Sequence, residues 1–197
     1  MSLLVKICGL GEEQHVEAAI SAGALAVGFV FAESVRRITP DKAKAICVSV
    51  PQHIKRVAVM LHPSNDDWQC VIEIFAPDVL QADAEDFAVL EVPESVECWP
   101  VYREGRASPD TAGAYVYEGR QSGLGKTVDW LEAAGHAGHG RMILAGGLGA
   151  HNVAAAVTTV RPYGVDVSTA VESAPGQKDA NLISQFVNAA LAAEKNL

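Results

Sequence analysis

The chain has 197 residues, a formal net charge of −9, and 49% hydrophobic and 20% charged residues, which is typical of one folded domain and argues against nucleic acid or an anionic membrane as main partner. A small phosphorylated ligand remains compatible with this charge, because backbone N–H groups and one or two arginines can bind an anion locally. The sequence shows no signal peptide, no apolar run of transmembrane length and no CxxC pair among its four cysteines, so we predict a cytoplasmic protein with reduced thiols, no membrane partner and no metal site.

Short apolar runs alternate with longer amphipathic segments in the first half of the chain. The runs predict strands at 3–7, 26–31, 55–61 and 77–83, and the amphipathic segments predict helices at 12–23, 39–50 and 64–76. Thr39 and Ser64 stand where N-caps are expected, and Pro40 suits the first turn of its helix.

The middle of the chain is less regular than either end. Residues 96–104 read as a fifth strand, although Pro100 favours an irregular or edge-like one. The segments on either side of it, within residues 84–113, are too short for full helices. Regular alternation then returns, with strands predicted at 114–118, 141–145 and 163–168 and helices near 129–135, 150–159 and 179–197.

Eight strands that alternate with crossover segments predict a parallel sheet with right-handed connections. We therefore predict a single (β/α)8 (TIM) barrel domain over residues 1–197, with shortened or missing helices around strand five. The alternative architecture is an open, doubly wound sheet.

In such barrels the chemistry lies at the C-terminal ends of the strands. Cys8 follows strand one, Glu118 ends strand six, and Asp166 belongs to strand eight. The residues alone leave two interpretations for each of the first two. Glu118 is either a solvated acid or a proton donor. Cys8 is either a small buried hydrophobe or a thiolate favoured by Lys6, which itself could be a structural charge.

Two glycine-rich or polar loops follow strands seven and eight. They are "ILAGGLGAHN" (143–152) and "DVSTAVES" (166–173), the positions from which barrels often build a phosphate site. Glycine lets the backbone approach a phosphate closely, and free N–H groups supply the donors. Glycine clusters also form ordinary turns and caps, so the pairing of the two loops is the stronger indication.

Motifs along nearly the whole chain resemble the phosphoribosylanthranilate isomerase family, in that family's order. The matching blocks are "VKICGL" (5–10), "GFVFAESVRRI" (28–38), "VAVML" (57–61), "DVLQ" (78–81), "GLGKTVDW" (123–130), "LAGGL" (144–148) and "GVDVSTAVES" (164–173). The resemblance implies a (β/α)8 enzyme of tryptophan biosynthesis. It implies the Amadori rearrangement of N-(5'-phosphoribosyl)anthranilate to 1-(2-carboxyphenylamino)-1-deoxyribulose 5-phosphate, by general acid–base catalysis without cofactor or metal.

The same resemblance assigns roles to individual residues. Cys8 falls on the family's general base and Glu118 on its general acid, which is an Asp in the family. The remaining assignments are Arg36 for the anthranilate carboxylate, Asp166 near the ribose or amine, Lys6 and Gln81 for the substrate pocket, and Gly146, Gly147, Ser168 and Thr169 for the phosphate.

Several departures from the family pattern surround this pocket. Asp83 and Ala84 replace a His and a Gly after strand four, Pro100 stands near a Lys position, and Gly11 replaces a Thr. Two alternative functions follow. The first is a bifunctional isomerase that also acts on the histidine-pathway aminoaldose, which Cys8 at the base position disfavours. The second is a non-catalytic paralogue that binds a phosphorylated ligand, which Glu118 favours. We expect a monomer or weak homodimer.

Overall fold

The chain forms a closed barrel of eight parallel strands in this computed structural model, which describes residues 2–106, 108–110, 112–120 and 127–195. Each strand pairs with the next, and β8 closes the barrel against β1. The strands are β1 (Leu4–Cys8), β2 (Ala26–Val30), β3 (Lys55–Val59), β4 (Val79–Asp83), β5 (Glu97–Arg103), β6 (Ala114–Glu118), β7 (Arg141–Leu144) and β8 (Gly164–Val167). The predicted (β/α)8 barrel is confirmed, and the open sheet is wrong.

Helices cover the outside of the barrel between most of the strands. They are α1 (Glu13–Ala22), α2 (Pro40–Ile46), α3 (Asn65–Phe75), α4 (Trp130–His136), α5 (Val153–Val160) and α6 (Ala180–Glu194). Thr39 and Ser64 cap α2 and α3 as predicted, each by accepting a backbone N–H bond from the first turn. The prediction of a helix up to residue 50 is wrong, because α2 ends at Ile46.

The helices around β5 are reduced, as predicted. A short 3-10 helix, Ala84–Ala88, follows β4 where a barrel normally has an α-helix. In the described residues between β5 and β6 there is no α-helix. β5 itself is more regular than predicted, since it pairs with both neighbours. Pro100 is tolerated because the ladder to β6 begins one residue later, at Val101.

The barrel interior contains one large side chain opposite several small ones. Trp99 of β5 is 1% exposed and belongs to an inner cluster with Ala26, Ala114 and Ala145 from β2, β6 and the end of β7. The small alanine side chains leave room for the indole, and the aliphatic side chains of the same cluster complete the packing. The barrel is therefore a packed core rather than a pore below its mouth.

The N-terminal end of the barrel carries an ion-pair cluster. Glu97 of β5 lies 3.5 Å from Lys55 Nζ of β3 and 3.0 Å from Arg141 Nη2 of β7. Arg141 also lies over the ring of Tyr163, 5.3 Å from its centroid.

Among the residues that the structure describes, no helix has the length and apolar character needed to cross a bilayer.

Candidate active site

A cavity of about 760 Å³ opens at the C-terminal ends of the strands. Every strand, or the loop that follows it, contributes to the lining. All the predicted site residues except Lys6 line this cavity; they are Cys8, Arg36, Gln81, Glu118, Gly146, Gly147, Asp166, Ser168 and Thr169. Residues spread over the whole sequence thus meet in one place because parallel strands end on the same side of a barrel.

Lys6 lies below the cavity and links Cys8 to Asp166. The Lys6 side chain is fully buried, and its Nζ donates to Asp166 Oδ2 at 3.0 Å. Burial alone would lower the pKa of Lys6, but Asp166 and Cys8 raise it above its ordinary value. Burial raises the pKa of the Cys8 thiol, and the cations of Lys6 and Lys178 oppose that rise. The effect of burial prevails, so the pKa of Cys8 lies above its ordinary value, and the two lysines limit the rise.

Gly28 of β2 makes room for the Lys6 and Cys8 side chains. A Cβ atom at this position would lie 3.0 Å from Lys6 Cε and 3.2 Å from Cys8 Sγ. Both distances are shorter than ordinary van der Waals contacts. The lack of a side chain at position 28 thus allows the Lys6 and Cys8 side chains to take their places on β1.

The carboxyl group of Glu118 is held by an arginine that the sequence analysis did not assign to the site. Arg103 Nη2 at the end of β5 lies 3.0 Å from Glu118 Oε1, and its Nη1 lies 2.6 Å from Asp83 Oδ2 at the end of β4. All three side chains are mostly buried, with exposed fractions of 11% for Arg103, 6% for Asp83 and 15% for Glu118. Glu118 is therefore not the freely solvated acid that one interpretation allowed.

Arg36 reaches the cavity as part of a buried ion cluster. Its Nε and Nη2 donate to the two oxygens of Glu172 at 2.6 and 2.8 Å, and Nη2 also lies 3.3 Å from Thr169 Oγ1. Lys178 Nζ donates to the same carboxylate at 2.7 Å and to the Ser168 carbonyl at 2.8 Å. One acid thus holds two cations, so the cluster carries a net positive charge beside the loop after β8.

The position of Lys178 results from a hairpin formed by β9 (Glu172–Ala174) and β10 (Gln177–Lys178). The hairpin turns the chain back under the β8 loop, and the Lys178 side chain is 1% exposed. Burial lowers the pKa of Lys178, whereas Glu172 raises it. The hydrogen bond to Glu172 raises the pKa of the Arg36 guanidinium.

The loops after β7 and β8 have the backbone that a phosphate site requires. Gly146 and Gly147 have φ values of 88° and 62°, a left-handed conformation that favours glycine. Asn152 fixes the same loop by accepting from the Gly149 N–H and donating to the Gly147 carbonyl. Ser168, at the end of β8, lines the cavity opposite this loop.

Two buried polar atoms near the cavity lack a hydrogen-bond partner within the described part of the chain. They are Gln81 Oε1 and Asp166 Oδ1. Both residues line the cavity, and buried polar groups are normally satisfied. These two oxygens are therefore available acceptors for the hydroxyl or N–H groups of a bound molecule.

Sequence reasoning missed the charged partners of the predicted residues. Arg103, Glu172 and Lys178 each make the ion pairs described above, yet none was assigned to the site. The available signal was position, since Arg103 ends β5 and Glu172 lies within the "STAVES" segment after β8. His62, in the loop after β3, has φ 45° and its Nδ1 forms a hydrogen bond with Asp86 Oδ1 at 2.9 Å. That hydrogen bond raises the pKa of the histidine.

Two further expectations concern the loop after β6 and a metal site. The first half of the "GLGKTVDW" block, residues 123–126, lies outside the described residues, but Thr127 lines the cavity and Asp129 caps α4. No group of three or more His, Cys, Asp or Glu side chains is placed to hold a metal ion in residues 2–106, 108–110, 112–120 and 127–195.

A family model and a curated relative point to the same family. The family model described as N-(5'phosphoribosyl)anthranilate (PRA) isomerase matches residues 5–189. The N-(5'-phosphoribosyl)anthranilate isomerase of Pelobacter propionicus is 36% identical over 197 residues, covering 94% of each chain.

Solved structures of the same family share the fold over almost the full chain. Phosphoribosyl anthranilate isomerase from Thermus thermophilus superposes with a TM-score of 0.82 at 26% identity, covering 98% of this chain and 99% of the other. A phosphoribosyl anthranilate isomerase in complex with reduced 1-(o-carboxyphenylamino)-1-deoxyribulose 5-phosphate superposes with a TM-score of 0.75 at 27% identity, covering 99% and 100%.

Proposed function

The chain belongs to the N-(5'-phosphoribosyl)anthranilate isomerase family, and from this membership we propose how its cavity performs the family's reaction. The enzyme is an aldose–ketose isomerase of tryptophan biosynthesis. It converts N-(5'-phosphoribosyl)anthranilate into 1-(2-carboxyphenylamino)-1-deoxyribulose 5-phosphate by an Amadori rearrangement. The observation that carries the assignment of roles is that Cys8 and Glu118, from β1 and β6, line the same cavity across the barrel mouth.

Glu118 acts as the general acid in this proposal. Its carboxyl group donates a proton to the furanose ring oxygen, the C1'–O bond breaks, and the ring opens to a Schiff base. The side chain is suited to this step because it is mostly buried at the end of β6 and held by Arg103. A positioned acid of this kind contributes on the order of 10² to 10⁴ in rate.

Cys8 acts as the general base. Its thiolate removes the C2' proton, and the electron pair of that C–H bond moves into the iminium, giving an enolamine that tautomerises to the ketone. The substrate's own iminium accepts the electrons. Lys6 and Lys178 favour the thiolate against the effect of burial, so both lysines support the base without touching the reacting carbon.

The phosphate and the anthranilate carboxylate occupy different parts of the cavity in this proposal. Gly146 and Gly147 with Ser168 and Thr169 take the phosphate, since their loops follow the paired strands β7 and β8 and line the same cavity. Arg36 takes the carboxylate through Nη1, for which the described residues provide no acceptor. The net positive charge of the Arg36–Glu172–Lys178 cluster supports binding of an anion there.

The remaining pocket contacts follow from the unpartnered acceptors. Asp166 Oδ1 and Gln81 Oε1 accept hydrogen bonds from the ribose hydroxyls or the bridging amine. The ion pair to Lys6 fixes the Asp166 side chain in place.

We also propose that residues 1–197 act as one cytoplasmic domain, as a monomer or weak homodimer, without nucleic acid as a partner. The acid, the base and the phosphate loops all come from a single chain, so no second copy is needed to complete the cavity. All four cysteines are free, which suits a reducing compartment. The net charge of −9 opposes nucleic-acid binding.

The roles of Glu118 and Cys8 are tested with freshly generated phosphoribosylanthranilate in a fluorescence assay. Glu118→Gln is expected to remove most turnover while it leaves binding of the reduced product analogue nearly intact. Cys8→Ser is expected to lower kcat sharply. A wild-type kcat in either variant would remove that residue from its role, and turnover of the histidine-pathway aminoaldose would show a broader substrate range.

A further inference from the structure

Arg103 joins the ends of three neighbouring strands at the cavity. It ends β5, where it pairs in register with Glu118 of β6, and its side chain reaches back to Asp83 of β4. Its two terminal nitrogens contact different carboxylates: Nη1 lies 2.6 Å from Asp83 Oδ2, and Nη2 lies 3.0 Å from Glu118 Oε1. A planar guanidinium that contacts two carboxylates through different nitrogens fixes the direction between them.

Asp83 is itself held in a rigid turn. It begins the short 3-10 helix Ala84–Ala88 as one half of a capping box, in which its side chain accepts the Asp86 N–H and the Asp86 carboxylate accepts the Asp83 N–H at 3.2 Å. Asp86 also accepts the backbone N–H of His62 at 3.1 Å. The main chain of Asp83, whose carboxylate holds Arg103, is therefore tied through Asp86 to the segment that follows β3.

We propose that the Asp83–Arg103 pair is a positioning device for the general acid, which fixes the Glu118 carboxyl group over the substrate. This inference rests on the proposed role of Glu118. A glutamate side chain has one more rotatable bond than an aspartate, and a displacement of about 1 Å can cost roughly a hundredfold in rate. The pair removes that freedom at the position where this chain carries the longer acid.

The charges of the pair also suit an acid that must carry a proton. Arg103 alone would favour the ionised form of Glu118, because an adjacent cation stabilises a carboxylate. Asp83 balances the charge of Arg103, so the pair contributes hydrogen-bond geometry with little net charge. His62 Nε2 lies 3.8 Å from the same Asp83 oxygen that contacts Arg103, and its Nδ1 lies 2.9 Å from Asp86 Oδ1. Arg103 is thus a positioning residue, and Asp83 orients it.

A double-mutant cycle tests whether Arg103 acts through Glu118. Steady-state kcat and KM are measured for Arg103→Met, Glu118→Gln and the double variant, at enzyme concentrations high enough to record slow turnover. We expect Arg103→Met to lower kcat by about a hundredfold with KM changed less than about threefold. In the Glu118→Gln background the same substitution is expected to change kcat by less than about threefold, because no proton donor is left to position.

A matched control separates this role from ordinary stabilisation. Arg56 of β3 makes a bidentate pair with Asp78 at 3.0 Å, at the opposite end of the barrel. Arg56→Met is expected to lower the melting temperature and to leave kcat unchanged. Arg103→Lys keeps a cation that can reach one carboxylate, and it is expected to recover part of the lost kcat; it replaces Arg103→Met in the cycle if that variant does not fold.

The outcomes separate the positioning role from the acid role. Losses that multiply in the double variant would overturn the positioning role, because Arg103 would then act independently of Glu118. A wild-type kcat in both Arg103 variants, beside a strong loss in Glu118→Gln, would overturn the positioning role alone. A wild-type kcat in Glu118→Gln would overturn the acid role, and the positioning role with it. Binding of the reduced product analogue by Arg103→Met, measured by calorimetry, is expected to stay within about threefold of wild type.

Discussion

Replacing Glu172 by Gln is expected to destabilise the fold by an amount that the structure allows us to work out. The Glu172 side chain is 3% exposed and accepts bonds from Arg36 and Lys178. Burial alone would raise the pKa of this carboxyl, but the two cations hold the pKa at about 2, against an ordinary value of 4.5. At about 1.4 kcal/mol per pH unit, the difference amounts to about 3 kcal/mol of folding stability at pH 7.

The sign of the pH dependence follows from the direction of this pKa change. A carboxyl whose pKa is lower in the folded state stabilises the fold above its unfolded pKa and loses that contribution as the pH falls. The contribution of Glu172 is therefore complete at neutral pH and decreases between about pH 5 and pH 2. Between pH 5 and pH 3, about 2 kcal/mol of it should disappear.

Urea unfolding followed by circular dichroism measures both effects. The free energy of unfolding of Glu172→Gln should be lower than wild type by about 3 kcal/mol at pH 7, and it should fall less steeply than wild type from pH 5 to pH 3. Glu17→Gln, at an exposed acid on α1, serves as the control and should behave as wild type. Equal unfolding free energies at pH 7, or parallel pH slopes for Glu172→Gln and wild type, would show that the two cations do not stabilise the fold through Glu172.

Three other changes have expected results. Gly28→Ala should lower kcat and cost about 1–3 kcal/mol, because its Cβ would push against Lys6 Cε and Cys8 Sγ; a fully active variant with unchanged urea midpoint would contradict this. Lys6→Met should destabilise the fold by about 3–5 kcal/mol, since it leaves a buried carboxylate uncompensated. A loss of less than about 1 kcal/mol in urea unfolding would contradict this. A maleimide should label the exposed Cys70 within minutes and spare Cys47, because burial raises the pKa of Cys47 to about 12. Equal labelling of the two cysteines, measured by mass spectrometry of the peptides, would contradict this.

The barrel was predictable from the sequence because its signals are local. Caps at Thr39 and Ser64 and short apolar runs each depend on a few neighbouring residues, and the strands lie within three residues of their predicted bounds. Pro100 misled the prediction because its effect on a strand depends on which neighbour is paired at that residue. The register of β5 with β6 starts at Val101, a fact that only the assembled sheet contains.

The candidate site was predictable only where residues follow a motif. Cys8 and Glu118 end their strands, so position alone brings them to the barrel mouth. The partners of such residues are set by the three-dimensional arrangement, as Arg103 shows with carboxylates 20 residues before it and 15 residues after it. No sequence spacing relates Arg36 to Glu172, which are 136 residues apart.

The ion pairs at the N-terminal end of the barrel connect strands that share no hydrogen bonds. Glu97 of β5 reaches Lys55 of β3 on one side and Arg141 of β7 on the other. Main-chain bonds link each strand only to the next, which still allows a ring of eight strands to flatten into an oval. Ion pairs between every second strand oppose that deformation. These ion pairs thus connect β3, β5 and β7 at the end remote from the cavity, and none of their residues lines it.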